Sequence, residues 1–70
     1  MVYQSVQSSM LDAVRYDDES STLGLRFNNG KIYEYPNVPR HVYSAFLAAP
    51  SKGQFFDANV KGKYASRKIN

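Results

Sequence analysis

The sequence predicts a small α+β domain, in which a three-stranded antiparallel β-meander is followed by two helices packed on one face. Three observations lead to this prediction. Seventy residues suffice for one domain, apolar residues alternate in the first half, and helical spacing replaces the alternation in the second half. The hydrophobic fraction of 43% and the charged fraction of 21% are typical of a folded chain. We therefore expect one core, built largely from six tyrosines and four phenylalanines.

The segment from Met10 to Asp17 is predicted to form the first strand, after a loose arm over residues 1–9. Val14 and Tyr16 alternate with a charged residue, which is the period of a strand with one buried face. A short helix that begins near Ser9 is the alternative. The strand is preferred because the polar run that follows then forms a turn into a second strand.

The second strand is the clearest element, because apolar side chains alternate with small or polar ones over residues 22–27. Asn-Asn-Gly at residues 28–30 is a strong hairpin signal, since asparagine and glycine tolerate positive φ. A third strand covers residues 32–35. Pro36 ends it, because proline cannot donate a ladder hydrogen bond.

The length of the hairpin loop decides where Tyr33 and Tyr35 lie. A two-residue loop places both rings on the outer face beside Arg26, as a basic and aromatic platform suited to stacking bases. A three-residue loop turns both rings into the core, opposite Leu25 and Leu23, because a one-residue slip exchanges the two faces. The three-residue loop is preferred, since it hides more apolar surface.

Two helices are predicted in the second half of the chain. Pro39 suits the first position of the first helix, and apolar residues then recur at helical spacing until Pro50. Ser51 can cap the second helix, with Gln54 at the capping-box spacing, and Gly62 is placed to end it in a left-handed conformation. These periods predict a core made of Leu23, Leu25, Phe27, Tyr33, Tyr35, Val42, Phe46, Phe56 and Val60.

The net charge of +3 is concentrated in the second half. Residues 1–35 carry three cations and five acids, whereas residues 36–70 carry six cations and only Asp57. A basic half indicates a polyanion such as RNA or DNA, although a solvated surface is the preferred explanation on charge alone. The candidate phosphate contacts are Arg26, Arg40, Lys52, Lys61, Lys63, Arg67 and Lys68. The candidate stacking residues are Tyr33, Tyr35, Tyr43 and Tyr64.

No motif indicates catalysis, so we expect a protein without catalytic residues, cofactor or small-molecule substrate. The chain has no cysteine and a single histidine, which argues against disulfides and against thiolate or multi-histidine metal sites. His41 is expected to face solvent. There is no apolar stretch of about 18 residues and no secretory signal pattern, so the expected location is cytoplasmic, with no membrane partner.

An ordered series of short segments runs from residue 8 to residue 64. They are Ser8-Ser9, Val14, Tyr16-Asp17, Leu23, Leu25, Phe27, Asn29-Gly30, Tyr33-Glu34-Tyr35, Val38-Pro39, Tyr43, Leu47, residues 49–53, Phe55-Phe56, Val60 and residues 61–64. Together they resemble the KTSC domain, which is named for the C-terminus of some lysyl-tRNA synthetases and also occurs as a stand-alone small protein.

The resemblance implies one domain over residues 5–68, with an N-terminal arm at residues 1–4 and a C-terminal end at residues 69–70. The synthetase context implies RNA binding as the first functional hypothesis. The alternative is a protein-interaction or accessory module, since a small domain offers a sheet face and an edge strand to a protein partner.

Overall fold

The computed structural model describes residues 3–70, in which one antiparallel sheet carries two helices on one face. The strands are β1 (Gln4–Ser5), β2 (Leu11–Asp17), β3 (Thr22–Phe27), β4 (Ile32–Tyr35) and β5 (Arg67–Lys68), and the helices are α1 (Arg40–Ala48) and α2 (Lys52–Asn59). The strands lie side by side in chain order. The predicted α+β class is confirmed, but the three-stranded meander is wrong, because a further short strand lies at each edge.

The two added strands come from the ends of the chain. In β1, Ser5 pairs with Ala13, so part of the predicted loose arm joins the sheet. In β5, Arg67 pairs with Glu34. Each strand has only two residues, which is too short to show an alternation, so periodicity could not reveal them. Residues 1–2 of the predicted arm lie outside the described residues.

The β3–β4 hairpin has the preferred three-residue loop. The Phe27 N–H donates to the Lys31 carbonyl at 2.9 Å, and the Gly30 N–H donates to the Phe27 carbonyl at 2.9 Å. Gly30 has a φ of +87°, which a side chain would strain. This register pairs Leu25 with Tyr33 and Leu23 with Tyr35. Both tyrosines therefore share the face of the sheet that packs against the helices.

The predicted helix ends are largely confirmed. α1 begins at Arg40, one residue later than predicted. Pro39 is its N-cap and not its first helical residue. The Ser51 side-chain oxygen accepts a hydrogen bond from the Gln54 N–H at 3.3 Å, which is the predicted cap of α2. Gly62 has a φ of +78°, but it lies in a turn beyond the last residue of α2.

The core lies between the sheet and the helices. Its buried apolar residues are Leu11, Ala13, Val14, Tyr16, Leu23, Leu25, Tyr35, Val38, Phe46, Phe56 and Val60. Six of the nine predicted core residues are among them, and Phe27, Tyr33 and Val42 are half-buried against them. The alternation of apolar residues did not predict Leu11 as a core residue, because the strand is bulged just after it. It missed Val38 because that residue belongs to the loop after β4.

Candidate nucleic-acid interface

All four arginines of the chain are paired with carboxylates. The pairs and their N–O distances are Arg15–Glu34 (2.6 Å), Arg26–Asp12 (3.0 Å), Arg40–Asp18 (2.6 Å) and Arg67–Glu34 (3.3 Å). Three of these arginines are predicted phosphate contacts, namely Arg26, Arg40 and Arg67. Each of the three therefore already has an anionic partner within the protein, which lowers the charge it offers to a ligand.

The pairing of Arg15 with Glu34 spans the outer face of the sheet. Gly24 stands opposite Arg15 on one side and opposite Glu34 on the other. A Cβ atom at Gly24 would lie 3.0 Å from Cγ of Arg15 and 3.0 Å from the hydroxyl of Tyr3. Glycine is therefore favoured here by the close approach of two side chains and not by its backbone angle.

Tyr3 covers this crossing on the solvent side. Its ring centroid lies 5.3 Å from the guanidinium carbon of Arg15 and 5.7 Å from that of Arg26. The Tyr3 hydroxyl and Nε of Arg15 are both buried, and neither has a hydrogen-bond partner within the described part of the chain. The pKa of Arg15 is raised, first by the Tyr3 hydroxyl and further by Glu34, against the lowering effect of burial. The outer face thus carries a layer of paired charges beneath Tyr3, in which these two polar atoms stay unpartnered within residues 3–70.

Arg40 lies over a pair of stacked rings. The rings of Tyr16 and Tyr43 are 4.9 Å apart and inclined by 12°. The Arg40 guanidinium lies 5.8 Å from the first centroid and 6.0 Å from the second, a cation–π arrangement. Tyr43, a predicted stacking residue, therefore already has a ring and a cation against it.

Lys52 is engaged with the end of α1. Its Nζ atom donates to the carbonyl of Leu47 at 3.0 Å and to that of Ala49 at 2.7 Å. The last carbonyls of a helix lack partners within the helix, and a lysine near them is a common solution. The structure thus gives this predicted phosphate contact a role in joining α1 to α2.

The remaining lysines are exposed and differ from every cation above. Within residues 3–70, no ion pair or side-chain hydrogen bond engages the ammonium groups of Lys31, Lys61, Lys63 and Lys68. Three of the four lie in residues 61–68, which we call the lysine segment. The sequence has no aspartate or glutamate from residue 58 to residue 70, so this stretch has no acid of its own.

The lysine segment runs from the end of α2 to the edge of the sheet. The Tyr64 N–H donates to the Val60 carbonyl at 3.2 Å, and the Tyr64 ring packs against the core. Ser66 lies beside Tyr35, and Lys68 belongs to β5. Burial raises the pKa of Tyr35, against the lowering effect of the Ser66 side chain beside it. The backbone of the segment is thus tied to the core, while its three lysines are exposed.

The aromatic rings do not form an exposed platform. All ten lie within residues 3–70, and each is at least half-buried. Tyr33 packs edge-on against Phe27, with centroids 5.8 Å apart, and Tyr35 packs edge-on against Phe56, also at 5.8 Å. The register that places Tyr33 and Tyr35 in the core therefore removes them from the outer face, where base stacking would require them.

Metal clusters and cavities are two further features to consider in the described residues. Within residues 3–70, no group of three His, Cys, Asp or Glu side chains is placed to hold a metal ion, and no cavity is enclosed. His41 is exposed, as expected. No helix in this part of the chain has the length and apolar character needed to cross a bilayer.

Both the sequence and the fold are similar to those of known proteins. The sequence model of the KTSC domain family matches residues 7–64. The fold is similar to the crystal structure of a KTSC domain protein from Yersinia pestis, with a TM-score of 0.96, 38% identity and coverage of 99% of this chain and 97% of that one. A protein from Tsukamurella paurometabola is 41% identical over 61 residues, which are 87% of this chain and 91% of that protein.

A much longer relative carries a similar region. A lysine–tRNA ligase from Nostoc sp. is 39% identical over 64 residues, which are 91% of this chain. The chain spans only 11% of the length of that ligase. Similar sequences therefore occur both in proteins of about this size and as a small part of a large enzyme.

Proposed function

The chain belongs to the KTSC domain family, and on that premise we propose that it is a small non-catalytic module that binds RNA or another nucleic acid. The observation that carries the proposal is the lysine segment, whose three lysines are exposed and have no ion-pair partner within residues 3–70, in a stretch without an acidic residue from 58 to 70. The ammonium group of lysine is a compact point charge suited to phosphate. The name of the Nostoc relative, lysine–tRNA ligase, makes RNA the first ligand to test.

The expected interaction is electrostatic. Each phosphate that a lysine neutralises releases a condensed counterion, so affinity falls as salt rises. The paired arginines are expected to contribute less binding free energy, because each would first have to leave its carboxylate. The lysine segment is therefore expected to supply most of the binding free energy.

The test is a titration of fluorescent single-stranded RNA at low and moderate salt. The variant Lys61→Gln/Lys63→Gln removes two positive charges from the lysine segment. The matched control Ser44→Glu/Ala45→Glu adds two negative charges at exposed positions of α1, so both variants have the same net charge. We expect the first variant to bind roughly tenfold more weakly at low salt, and the control to lose markedly less.

Two results would contradict the proposal. One is the absence of binding by the wild type even at low salt. The other is an equal loss in both variants, which would mean that only the net charge of the protein matters. The first result would leave the second candidate function ahead.

The second candidate is a protein-interaction module that uses the free edge of β5. Ile69, just beyond that strand, is 52% exposed, more than any other large hydrophobic side chain in residues 3–70. An edge strand can accept a further strand through its backbone groups. A second copy of this chain is the simplest donor. Sedimentation over a range of concentrations tests whether two copies form a dimer through this edge. Ile69→Asp is the variant expected to dissociate such a dimer.

A further inference from the structure

The guanidinium groups differ from the lysines in what they could recognise. Arginine reads guanine through two parallel hydrogen bonds, which require a free fork of N–H donors. Arg67 is the arginine of the lysine segment, and both its Nε and its Nη2 donate to Oε1 of Glu34 at 3.3 Å. The side chain best suited to base recognition is thus turned toward a carboxylate on the outer face of the sheet.

Stacking on bases is also disfavoured. Tyr64 is the one aromatic residue within the lysine segment, and its ring is half-buried against the core. Tyr33, which pairs with Lys68 in the sheet, is held edge-on by Phe27. A base needs an exposed ring face to stack on, and within residues 3–70 no aromatic ring is more than half-exposed.

The amide side chain of Asn59, just before the segment, is already engaged and offers little to a base. Nδ2 of Asn59 donates to the Phe55 carbonyl at 3.3 Å, within its own helix. The charge of the segment that is not engaged within residues 3–70 is carried by its three ammonium groups, which have no fixed hydrogen-bonding pattern.

We infer that the lysine segment binds the phosphodiester backbone alone and does not distinguish one base from another. This inference rests on the proposed function and specifies its ligand as a chain of phosphates. Three lysines neutralise at most three phosphates, so the slope of log affinity against log salt should be about −2 on a single strand.

The test compares fluorescent chains of equal length and charge: oligo(A), oligo(U) and an abasic ribose-phosphate oligomer. We expect the three dissociation constants to agree within about threefold, because the contacts reach only phosphate. Inorganic polyphosphate serves as an unlabelled competitor at matched phosphate concentration. Competition would support the inference and assign recognition to phosphate itself. Binding of the abasic chain without competition would also support it and assign recognition to the sugar–phosphate spacing.

Failure of the inference and failure of the proposed function give different results. If the RNA chains bind at least about tenfold more tightly than the abasic oligomer, bases are recognised and only the inference is overturned. If none of the chains binds at low salt, both are overturned. A preference of similar size between oligo(A) and oligo(U) would also overturn the inference, since it requires contact with the bases.

Discussion

Nη2 of Arg15 lies 2.6 Å from Oε2 of Glu34, although β3 separates the strands that carry the two residues. The contact is made across Gly24, which offers no side chain to obstruct it. The other oxygen of the same carboxylate accepts from Arg67, so one glutamate holds two arginines on the outer face. Within residues 3–70 this carboxylate thus engages two of the four arginines, whereas Lys61, Lys63 and Lys68 have no ion-pair partner.

Replacement of Gly24 by alanine should destabilise the fold by about 1–2 kcal/mol, because the new methyl group would press on Arg15 and Tyr3. Chemical denaturation measures the change in the free energy of unfolding. Gly53→Ala is the matched control, since its Cβ would meet Met10 at an ordinary 3.5 Å. Alanine is also the better helix former, so the control should be neutral or slightly stabilising. Equal destabilisation by both substitutions would contradict the crowding at Gly24.

Glu34→Gln should have two opposite effects. It leaves two arginines without their counter-charge, so the free energy of unfolding should fall by roughly 1–3 kcal/mol. It also releases Arg67 within the lysine segment, so RNA should bind more tightly, by a few-fold at low salt. Denaturation and RNA titration on the same preparation measure the two effects.

Asp18→Asn is the control for that substitution, because it raises the net charge equally and releases a different arginine, Arg40. Its ion pair is more than half exposed on both sides, so less than about 1 kcal/mol should be lost. If Asp18→Asn raises the RNA affinity as much as Glu34→Gln does, the release of Arg67 is not the cause.

Ser51→Ala should destabilise the protein by about 1 kcal/mol, because the Gln54 N–H loses the oxygen that caps it. A thermal melt measures the shift in Tm. Ser44→Ala, at an exposed position in the middle of α1, is the control and should leave Tm unchanged or slightly raised. A Ser51→Ala protein with unchanged Tm that no longer gains stability from added phosphate would point to an anion site at this helix end.

Tyr35 makes the stability of the protein sensitive to alkaline pH. Burial raises its pKa, so the folded protein prefers the neutral phenol. The neutral phenol contributes its full share of the free energy of unfolding below the pKa of tyrosine in the unfolded chain, which is about 10. That contribution is lost as pH rises through the higher pKa of Tyr35 in the folded protein. The wild type should therefore lose more free energy of unfolding between about pH 9 and about pH 11 than Tyr35→Phe does. Parallel pH profiles for the two proteins would rule out this role of Tyr35.

The sequence was informative where local rules decide the structure. The Asn-Asn-Gly loop and the alternation of Leu23, Leu25 and Phe27 together predicted the hairpin register, because only one register hides both tyrosines. Ser51 and Gln54 predicted a helix cap from spacing alone. These features depend on neighbours within a few residues, which a pattern can detect.

The features that the sequence did not reveal depend on contacts between distant segments. Arg15 and Glu34 are 19 positions apart and meet only because β2, β3 and β4 align them on one face. Charge counting treated arginines and lysines alike, whereas the fold engages every arginine with a carboxylate. One sequence signal marked the unpaired lysines: residues 58–70 contain three lysines and no acidic residue, although Arg67 lies in the same stretch.

The most direct measurement is the salt dependence of single-stranded RNA binding by the wild type and by Lys61→Gln/Lys63→Gln/Lys68→Gln. The wild type should bind at low salt with a log–log slope of about −2, since each lysine contributes about −0.7 on a single strand. The triple variant should bind weakly, with a slope near zero, while its Tm stays close to that of the wild type because all three side chains are exposed. A wild type that does not bind at low salt, or a triple variant with the wild-type slope, would contradict nucleic-acid binding by the lysine segment.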